Sequence, residues 1–370
     1  MTRVLVVNAG SSSLKVSAIE VGRREPLGAM QVDWGSDATQ APDRSSALKR
    51  ALAGLPDGFD AAAHRVVQGG TRFRVPTLVD DEVLDELDAL SELAPLHNPV
   101  AVDTIRAQRA LLPGLPCVAL FDTSFHATLP EDEYVYPLPY AWYADWGVRR
   151  FGFHGLSVEW SVRRAAELLR TDASELSLVV AHLGSGCSVT AVSGGASVAT
   201  SMGFTPLEGL AMGTRSGSVD PGALLYALRE RGVHPDDLAR VLDHESGLLG
   251  VSGMTGEARV LIEAADAGND RARLALAIFV RRAAEGIAAA SASLERLDAL
   301  VFTGGIGENA AALRAAICAR LSVLGIPQVA TGNVKDDAVL AGGGGSAAVL
   351  RIEAREDIVM ADAAAGLLGK

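Results

Sequence analysis

Two segments that each read as strand, polar turn and strand constrain this sequence more than any other feature. The first covers residues 3–20, where the apolar run Val4–Val7 and a second, alternating run flank a turn of glycine and serine. The second covers residues 178–193, with Ser185 and Gly186 at its turn. A short apolar run joined by a tight turn to an alternating run is typical of a β-hairpin. We therefore expect two halves built on one plan by an ancient duplication.

The length of the chain predicts two domains. A chain of 370 residues exceeds what one hydrophobic core usually supports, and a cleft between two domains is a natural ligand site. Strands are predicted at 61–67, 117–121, 300–303 and 347–352, and helices at 80–93, 99–112, 221–230, 235–242, 269–294, 308–321 and 357–368. This alternation indicates the α/β class. The first domain is predicted to comprise residues 1–126 and 358–370, and the second residues 127–357.

Composition excludes several classes of function. The formal net charge of −12 argues against a nucleic-acid binder or a protein that docks on anionic membranes, because such surfaces need clustered Lys and Arg. The most apolar helix-like stretch, 274–294, is interrupted by Arg281, Arg282 and Glu285, so no membrane span is expected. The three cysteines are far apart, with neither zinc nor disulfide spacing, which favours a reduced cytoplasm.

The first turn, Asn8–Lys15, is a candidate phosphate site. Glycine and serine let backbone amides approach a phosphate closely, and the hydroxyls and Lys15 can donate to its oxygens. An ordinary hairpin explains this stretch equally well when it is taken alone. It is not a Walker loop, because no Gly-Lys-Ser/Thr sequence opens a helix.

Ionisable side chains also stand where apolar segments end. Arg65 lies in a strand that ends in two glycines, His97 and Asp122 each follow an apolar segment, and His154 lies among aromatic residues and glycines. Each has a simpler structural explanation: a surface ion pair for Arg65, capping for His97 or Asp122, and a core position for His154.

Two glycine-rich stretches are harder to explain by structure alone. Residues 201–217 contain four glycines, a proline and a terminal arginine, a composition that makes neither helix nor strand. A long ordered loop in a compact domain usually carries function. Residues 302–309 run from a strand through glycines into a helix, which suits a nucleotide, although such turns are common.

Together these motifs resemble the acetate kinase family over nearly the whole chain. The shared segments are, in chain order, Val4–Lys15, the Arg65 strand, Pro95–Pro99, Phe121–Thr123, Gly152–Gly155, Phe204–Gly217 and Gly304–Asn309. Chance does not assemble seven such segments in family order. The resemblance implies two duplicated ribonuclease-H-like domains of the actin-like ATPase type, with the nucleotide in the cleft between them.

The resemblance also implies roles for individual residues. The implied catalytic residues are Arg65, Asp122, His154 and Arg215, and the implied metal positions are Asn8 and Glu356, with Asp122 matching a second acidic position that handles Mg²⁺. The implied acetate-binding residues are Arg65, Val67, Leu96, Phe153 and Pro206. The implied nucleotide-binding residues are Asn8, Ser11, Ser13, Lys15, His182, Gly184, Ser185, Gly186, Glu257, Arg259, Gly304, Gly305, Ile306, Gly307 and Asn309. A solvated surface side chain is the simpler interpretation of Glu356.

Six positions depart from the family pattern. Gln68 replaces a histidine, Ser185 an asparagine, Leu156 and Val158 a threonine and a histidine, and Ser218 and Glu257 aspartates. The departures spare both arginines and His154, so activity is expected to survive. Phosphate affinity is expected to change, because serine reaches less far than asparagine.

The predicted reaction is reversible in-line transfer of the γ-phosphoryl group of ATP to acetate, which gives acetyl phosphate and ADP. A carboxylic acid with a pKa of about 4 to 5 is already ionised at pH 7, so the site must cancel charge repulsion rather than supply a base. ATP or ADP is the implied co-substrate and Mg²⁺ the implied ion, with Mn²⁺ as an alternative, and the resemblance implies a homodimer through the second domain.

Two alternatives stay open. Propionate or butyrate could be the acceptor, because one methylene is worth only about 1–3 kcal/mol in an apolar pocket. The departures at Gln68, Ser185 and Ser218 would also suit a regulatory ATP-dependent switch without transfer. Such a switch has no need for two arginines and an apolar pocket together.

Overall fold

A computed structural model describes residues 1–10, 13–33, 43–95, 97–343 and 346–370. The chain forms two compact units, Met1–Ala127 with Arg355–Lys370, and Thr128–Ala354. Ser11 and Leu96, two of the residues with implied roles, lie outside the described residues.

The first unit contains a mixed sheet of six strands in the order β3-β2-β1-β4-β6-β5. Its strands are β1 (Arg3–Ala9), β2 (Ser13–Glu20), β3 (Gly28–Asp33), β4 (Ala61–Val66), β5 (Thr77–Leu78) and β6 (Cys117–Phe121). Its helices are α1 (Arg44–Leu52), α2 (Asp81–Ala89), α3 (Asn98–Leu111) and, from the end of the chain, α14 (Glu356–Leu367), with a 3₁₀ turn at Leu90–Glu92. A further 3₁₀ turn, Ser124–Thr128, ends the first pass of the chain through this unit.

The second unit contains a sheet in the order β11-β12-β10-β7-β8-β9. Its strands are β7 (Ser177–Leu183), β8 (Cys187–Ser193), β9 (Ala196–Thr200), β10 (Ala299–Thr303), β11 (Ala338–Gly343) and β12 (Ser346–Arg351). Its helices are α4 (Glu131–Tyr134), α5 (Tyr140–Trp146), α6 (Gly155–Leu169), α7 (Pro221–Glu230), α8 (Pro235–His244), α9 (Gly247–Ser252), α10 (Ala258–Asp266), α11 (Asp270–Ser291), α12 (Gly304–Asn309) and α13 (Ala311–Arg320), with 3₁₀ turns at Ala173–Glu175 and Ser322–Leu324.

The two sheets follow the same plan. In the first, β1 pairs antiparallel with β2 and parallel with β4, and in the second β7 pairs antiparallel with β8 and parallel with β10. The outer strands repeat the correspondence, because β2 with β3 and β8 with β9 are antiparallel, while β4 with β6 and β10 with β12 are parallel. The predicted α/β class and its duplicated hairpins are confirmed.

The alternation of side chains along β4 separates core from site. His64 is buried on the side of β4 that faces α3, whereas Arg65, which points to the opposite face, pairs with Glu356 at the start of α14. Packing on the α3 side is continuous, with Val66, Ile105 and Phe121 all inaccessible to solvent. Strand β4 therefore contributes His64 to the core of its unit and places the cation Arg65 on the opposite face.

One predicted element differs from the structure. The sequence predicted a glycine turn before a helix at 308–321, but α12 begins directly at Gly304 and is separated from α13 at Ala310. Gly304 turns the chain with a φ of 77°, and a Cβ at this position would lie 2.8 Å from the carbonyl oxygen of Leu183. The strand can lead straight into a helix because Gly304 combines a positive φ with no side chain.

Residues 201–217 contain no helix or strand, as predicted. None of the described helices has the length and apolar character needed to cross a membrane.

The buried imidazole of His64 makes the stability of the first unit depend on pH. Burial lowers the pKa of His64 to about 4. The unfolded chain takes up this proton near pH 6.5, so the contribution is complete above that pH and decreases as the pH falls towards 4. We expect unfolding in urea to show a loss of up to about 3 kcal/mol over this window, which His64→Gln abolishes. The same substitution at the exposed His244 is the control, and an equal loss in His64→Gln would contradict the assignment.

Candidate functional site

An ion pair with the buried Asp122 fixes the partly buried Arg65 at the carboxyl end of β4. Its Nε donates to Oδ1 of Asp122 over 2.8 Å, and its Nη2 donates to Oδ2 over 2.5 Å. Asp122 directly follows β6, the parallel neighbour of β4, so the two residues leave the sheet at the same edge. Two parallel bonds hold the guanidinium plane in one orientation.

Two further oxygen atoms, which act as acceptors, lie near the Arg65 guanidinium. The amide oxygen of Asn8, at the end of β1, accepts from Nη1 over 3.2 Å, and a carboxylate oxygen of Glu356 lies 3.8 Å from Nε. Burial alone would lower the pKa of Arg65, but Asp122 and Glu356 outweigh it and raise that pKa, so the cation is permanent. Burial raises the pKa of Glu356, and the charge of Arg65 opposes the shift. Glu356 is thus part of a charged cluster rather than a solvated surface residue.

Lys15 and Ser13 lie beside this cluster on β2. Lys15 is paired with Asn8 in the β1–β2 register, and its charge also lowers the pKa of Glu356. The carbonyl oxygen of Ser13 accepts the N–H of Gly10 over 2.8 Å, which closes the turn. Of the implied phosphate-binding residues in this unit, the structure therefore places Asn8 and Lys15 near Arg65.

Hydrogen bonds to the backbone and side chain of Gln68 fix the segment that follows β4. Asn98 accepts from the N–H of Gln68 over 3.1 Å and donates to its carbonyl oxygen over 3.0 Å, so one amide side chain binds both polar groups of the peptide. Oε1 of Gln68 accepts the N–H of Gly70 over 2.9 Å. These bonds fix the segment after β4, which includes the half-buried Val67.

In the second unit, two histidines stack face to face. The rings of His154 and His182 are 4.2 Å apart between centroids and 22° from parallel. Nδ1 of His154 lies 2.9 Å from the hydroxyl of Ser188, and Nδ1 of His182 lies 2.8 Å from that of Ser157. Each serine fixes one ring nitrogen and thereby the orientation of its imidazole.

The backbone of His154 is strained. Its φ of 60° lies in the left-handed region, and among the described non-glycine residues Arg170 alone shares such a value. Strain at a non-glycine residue persists where surrounding contacts enforce it, and functional sites are common places for it. The next residue, Gly155, begins α6, so the strained residue directs its ring at a helix start.

Gly186, His154 and Arg215 converge at the turn between β7 and β8. A Cβ at Gly186 would lie 3.2 Å from Nε2 of His154 and 3.6 Å from Nη1 of Arg215. Nη1 of Arg215 also donates to the carbonyl oxygen of Pro206 over 3.2 Å. The carbonyl oxygen of Ser185 accepts the N–H of Gly213 over 3.2 Å, which ties the arginine loop to the turn.

The glycines with implied nucleotide roles meet at the ends of β7 and β10. A Cβ at Gly184 would lie 3.7 Å from Nε2 of His182 and 3.8 Å from the backbone nitrogen of Gly305. Asn309 donates to the carbonyl oxygen of Gly305 over 2.9 Å, which orders α12, the helix that also contains Ile306 and Gly307. The result is a backbone-lined surface beside the histidine pair.

The remaining residues with implied roles are less closely connected. Arg259 is exposed and pairs with Glu263 on α10 over 3.0 Å, while Glu257 caps the start of the same helix. The segment adjoins the loop through Gly256, which lies against Gly213. Phe153 is buried and Pro206 half-buried.

The departures at 156 and 158 are explained by packing. Leu156 and Val158 are buried on α6, where they pack as apolar residues instead of adding polar groups to the site.

Sequence reasoning missed the residues that support this site. Ser188 and Ser157 position the two histidines, and Tyr136, Arg150 and Glu208 contact the loop that carries Pro206. A serine or tyrosine in a strand or turn gives no local signal of a distant partner. Within the described residues, no group of three or more His, Cys, Asp or Glu side chains forms a metal cage.

The chain is similar to known proteins over nearly its whole length. The Acetokinase family model matches residues 3–362. A Synechococcus protein named acetate kinase is 46% identical, with 99% of each chain covered. The crystal structure of Porphyromonas gingivalis acetate kinase superposes with a TM-score of 0.89 at 31% identity and covers 100% of both chains. A propionate kinase from Francisella tularensis gives 0.86 at 34% identity, with 99% of this chain and 100% of that chain covered.

The loop of residues 201–217 leaves no space for a side chain at residue 203. A Cβ on Gly203 would overlap the carboxylate of Glu208 and the hydroxyl of Tyr136. We expect Gly203→Ala to lower the unfolding free energy of the second unit by about 3 kcal/mol, near the upper end for overpacking. Gly332→Ala is the matched control, because a Cβ there meets nothing within 4 Å. Equal melting temperatures for the two variants would show that the loop is not packed as described.

Proposed function

The chain belongs to the acetokinase family, and we propose that it carries out the family reaction, reversible transfer of the ATP γ-phosphoryl group to acetate, with Arg65 and Arg215 as its charge-balancing residues. It is a phosphotransferase with a carboxylate acceptor. The fixed, permanently charged Arg65 is the observation that carries this assignment to individual residues.

The chemistry explains why arginines are needed. Acetate is already an anion at neutral pH, so no base has to remove a proton before attack. The barrier comes instead from bringing a carboxylate against a triphosphate, and from charge that spreads over the phosphoryl oxygens in the transition state. Preorganised cations reduce that barrier without reorganising during the reaction. A bidentate guanidinium suits both carboxylate and phosphate oxygens.

We assign Arg65 to the acceptor carboxylate and Arg215 to the moving phosphoryl group. Asp122 and Asn8 fix the orientation of Arg65, which supports a role in aligning the nucleophile. Nη1 of Arg215 lies near Gly186, as does Nε2 of His154. We assign Nε2 of His154, on the side of the ring near Gly186, to the phosphoryl oxygens, while Ser188 holds Nδ1.

The donor set around Arg65 fits Mg²⁺. Asn8, Asp122 and Glu356 offer amide and carboxylate oxygens, which Mg²⁺ prefers, and both oxygens of Asp122 already bind Arg65. We therefore propose that Glu356 and Asn8 hold the ion, largely through water, with Asp122 as the second acidic residue; Mn²⁺ would suit the same oxygens. Bound Mg²⁺ would supply charge neutralisation for the β- and γ-phosphates.

We assign the nucleotide to the backbone-lined turns. Small residues at 184, 186, 304 and 305 let peptide N–H groups approach phosphates, and Ser13, Lys15, His182 and Ser185 add side-chain donors. The adenosine is assigned to α12 and to the segment that includes Glu257 and Arg259. The exposure of Arg259 supports a role at the rim, where it would change its partner from Glu263 when a nucleotide binds.

We assign binding of the acceptor's alkyl group to Val67, Phe153 and Pro206. Apolar side chains suit a short alkyl group, but they limit discrimination to about 10- to 200-fold per methylene. The similarity to a propionate kinase therefore favours propionate as a second acceptor.

We also propose a homodimer formed through the second unit. Helices α5, α7 and α8 have no buried residues in the isolated chain, and Tyr140, Trp146 and Tyr226 are each at least half exposed. Such a concentration of exposed aromatic side chains is typical of an interface. We place the enzyme in the cytoplasm, where its co-substrate ATP is available and its three free cysteines stay reduced.

Replacement of either arginine tests the central assignment. We expect Arg65→Ala and Arg215→Ala each to lower kcat roughly 10²- to 10³-fold, as measured for loss of one preorganised donor. The product is acetyl phosphate, which hydroxylamine converts to acetohydroxamate for detection. Wild-type kcat/KM for acetate, propionate and butyrate then ranks the acceptors.

The controls separate catalysis from folding. Arg72→Ala and Arg273→Ala remove exposed, paired arginines from the same two units and should leave kcat within about two-fold. Arg65→Lys keeps a cation beside Asp122 if the alanine variant unfolds. Full turnover in both arginine variants would remove these assignments, and absence of hydroxamate from the wild-type protein would remove the function.

The metal assignment is tested by Glu356→Gln. This change keeps the shape of the side chain but removes its charge, so we expect half-maximal activity to require roughly 10-fold more Mg²⁺. Glu353→Gln, at an exposed carboxylate nearby in the sequence, is the matched control. An unaltered Mg²⁺ titration in the Glu356 variant would exclude this residue from the metal site.

A further inference from the structure

The segment 201–209, which carries Pro206, is not held by packing on every side. A cavity of about 350 Å³ lies between Ser201, Gly209 and Leu210 at its base and Arg282 and Gly286 of α11. A segment that borders a cavity loses the dispersion contacts that normally fix a buried chain. Its position therefore depends on specific polar contacts elsewhere.

Tyr136 makes two of those contacts. Its hydroxyl donates to the carboxylate of Glu208 and accepts the N–H of Phe204 over 2.8 Å. Burial raises the pKa of Tyr136, so the phenol keeps the proton that it donates. The side chain of Tyr136 thus holds the segment at Phe204, two residues before Pro206, and at Glu208, two residues after it.

Arg150 holds the start of the same segment. It donates to the carbonyl oxygens of Ser201 and Met202, each over 3.2 Å, and it pairs with Glu208 over 3.1 Å. It also lies 3.5 Å from Glu133, which accepts the N–H of Thr200 over 3.2 Å. Glu208 is the shared partner that joins Tyr136 to Arg150.

We propose that Tyr136, Arg150 and Glu208 form a positioning cluster that sets the acceptor specificity through Pro206 and Arg215. The path is short: the cluster fixes both flanks of Pro206, and the carbonyl oxygen of Pro206 accepts from Nη1 of Arg215 over 3.2 Å. The inference rests on the proposed roles of Pro206 and Arg215. The three residues act through the segment and do not contact substrate.

Tyr136→Phe is the sharpest test, because it removes both hydrogen bonds and keeps the ring. We expect KM for acetate to rise roughly 10-fold or more while KM for ATP moves less than about two-fold, since displacement of Pro206 misplaces the acceptor. A shift of Arg215, which is assigned to the moving phosphoryl group, would appear as a lower kcat. The ratio of kcat/KM for acetate to that for propionate should fall, because a loosened pocket discriminates less by size. Glu208→Ala should have the same effect, and Glu208→Gln, which keeps an acceptor for the phenol, should restore part of it.

Tyr143→Phe is the matched control. Its hydroxyl faces that of Tyr134 over 3.4 Å, outside the loop, so both KM values should stay at the wild-type level. A lower melting temperature in Tyr136→Phe with an unchanged acetate KM and an unchanged acid ratio would show that the cluster is only structural and would overturn the proposal. That outcome is distinct from failure of the proposed function, in which the wild-type protein forms no acyl phosphate from any of the acids.

Discussion

The two-pronged ion pair between Arg65 and Asp122 is the interaction on which the first unit's site depends. Transfer of an unpaired guanidinium out of water costs several kcal/mol of free energy. Such a group is therefore retained only where carboxylates and amides enclose it. Neighbouring parallel strands supply the arrangement, because β4 and β6 end at one edge and α14 adds Glu356 from the far end of the chain. Apolar residues often stabilise such a position at least as well, so the retained charge fits the anion-binding role proposed for Arg65.

The second unit uses the same strand plan but fixes its groups differently. Arg65 is held by charged partners, whereas one bond of Arg215 goes to a peptide carbonyl, that of Pro206. His154 is fixed by a hydroxyl and a stacked ring. Duplication thus gave two similar sheets, and the edge of each was adapted separately: one fixes a cation among carboxylates, and the other surrounds a glycine turn with donors.

Local patterns predicted the fold where the signal is local. Apolar runs placed β1, β6 and β10 within a residue or two, and glycine with proline marked residues 201–217 as irregular. The predicted helix start at residue 308 was wrong. A run of glycines is typical of a turn, but the positive φ of Gly304 lets α12 begin directly after β10. Glu356 looked like a solvated residue, since nothing near it in sequence shows that α14 returns to β4.

The supporting residues were beyond the reach of sequence patterns. Ser188 and Tyr136 act through partners far away in the chain, and the pairing exists only once the sheets and loops are in place. Residue types can identify groups that contact a ligand, since chemistry restricts them, but many side chains can hold such a group in position.

The left-handed backbone of His154 has a consequence for engineering. Glycine or asparagine adopts that conformation more readily than histidine, so a replacement there relieves about 1 kcal/mol or more of strain and removes the imidazole. Selection of variants by thermal stability alone would therefore favour replacement of His154 and loss of its imidazole. Thermostable forms of the enzyme are better sought elsewhere in the chain, with residue 154 kept out of the library.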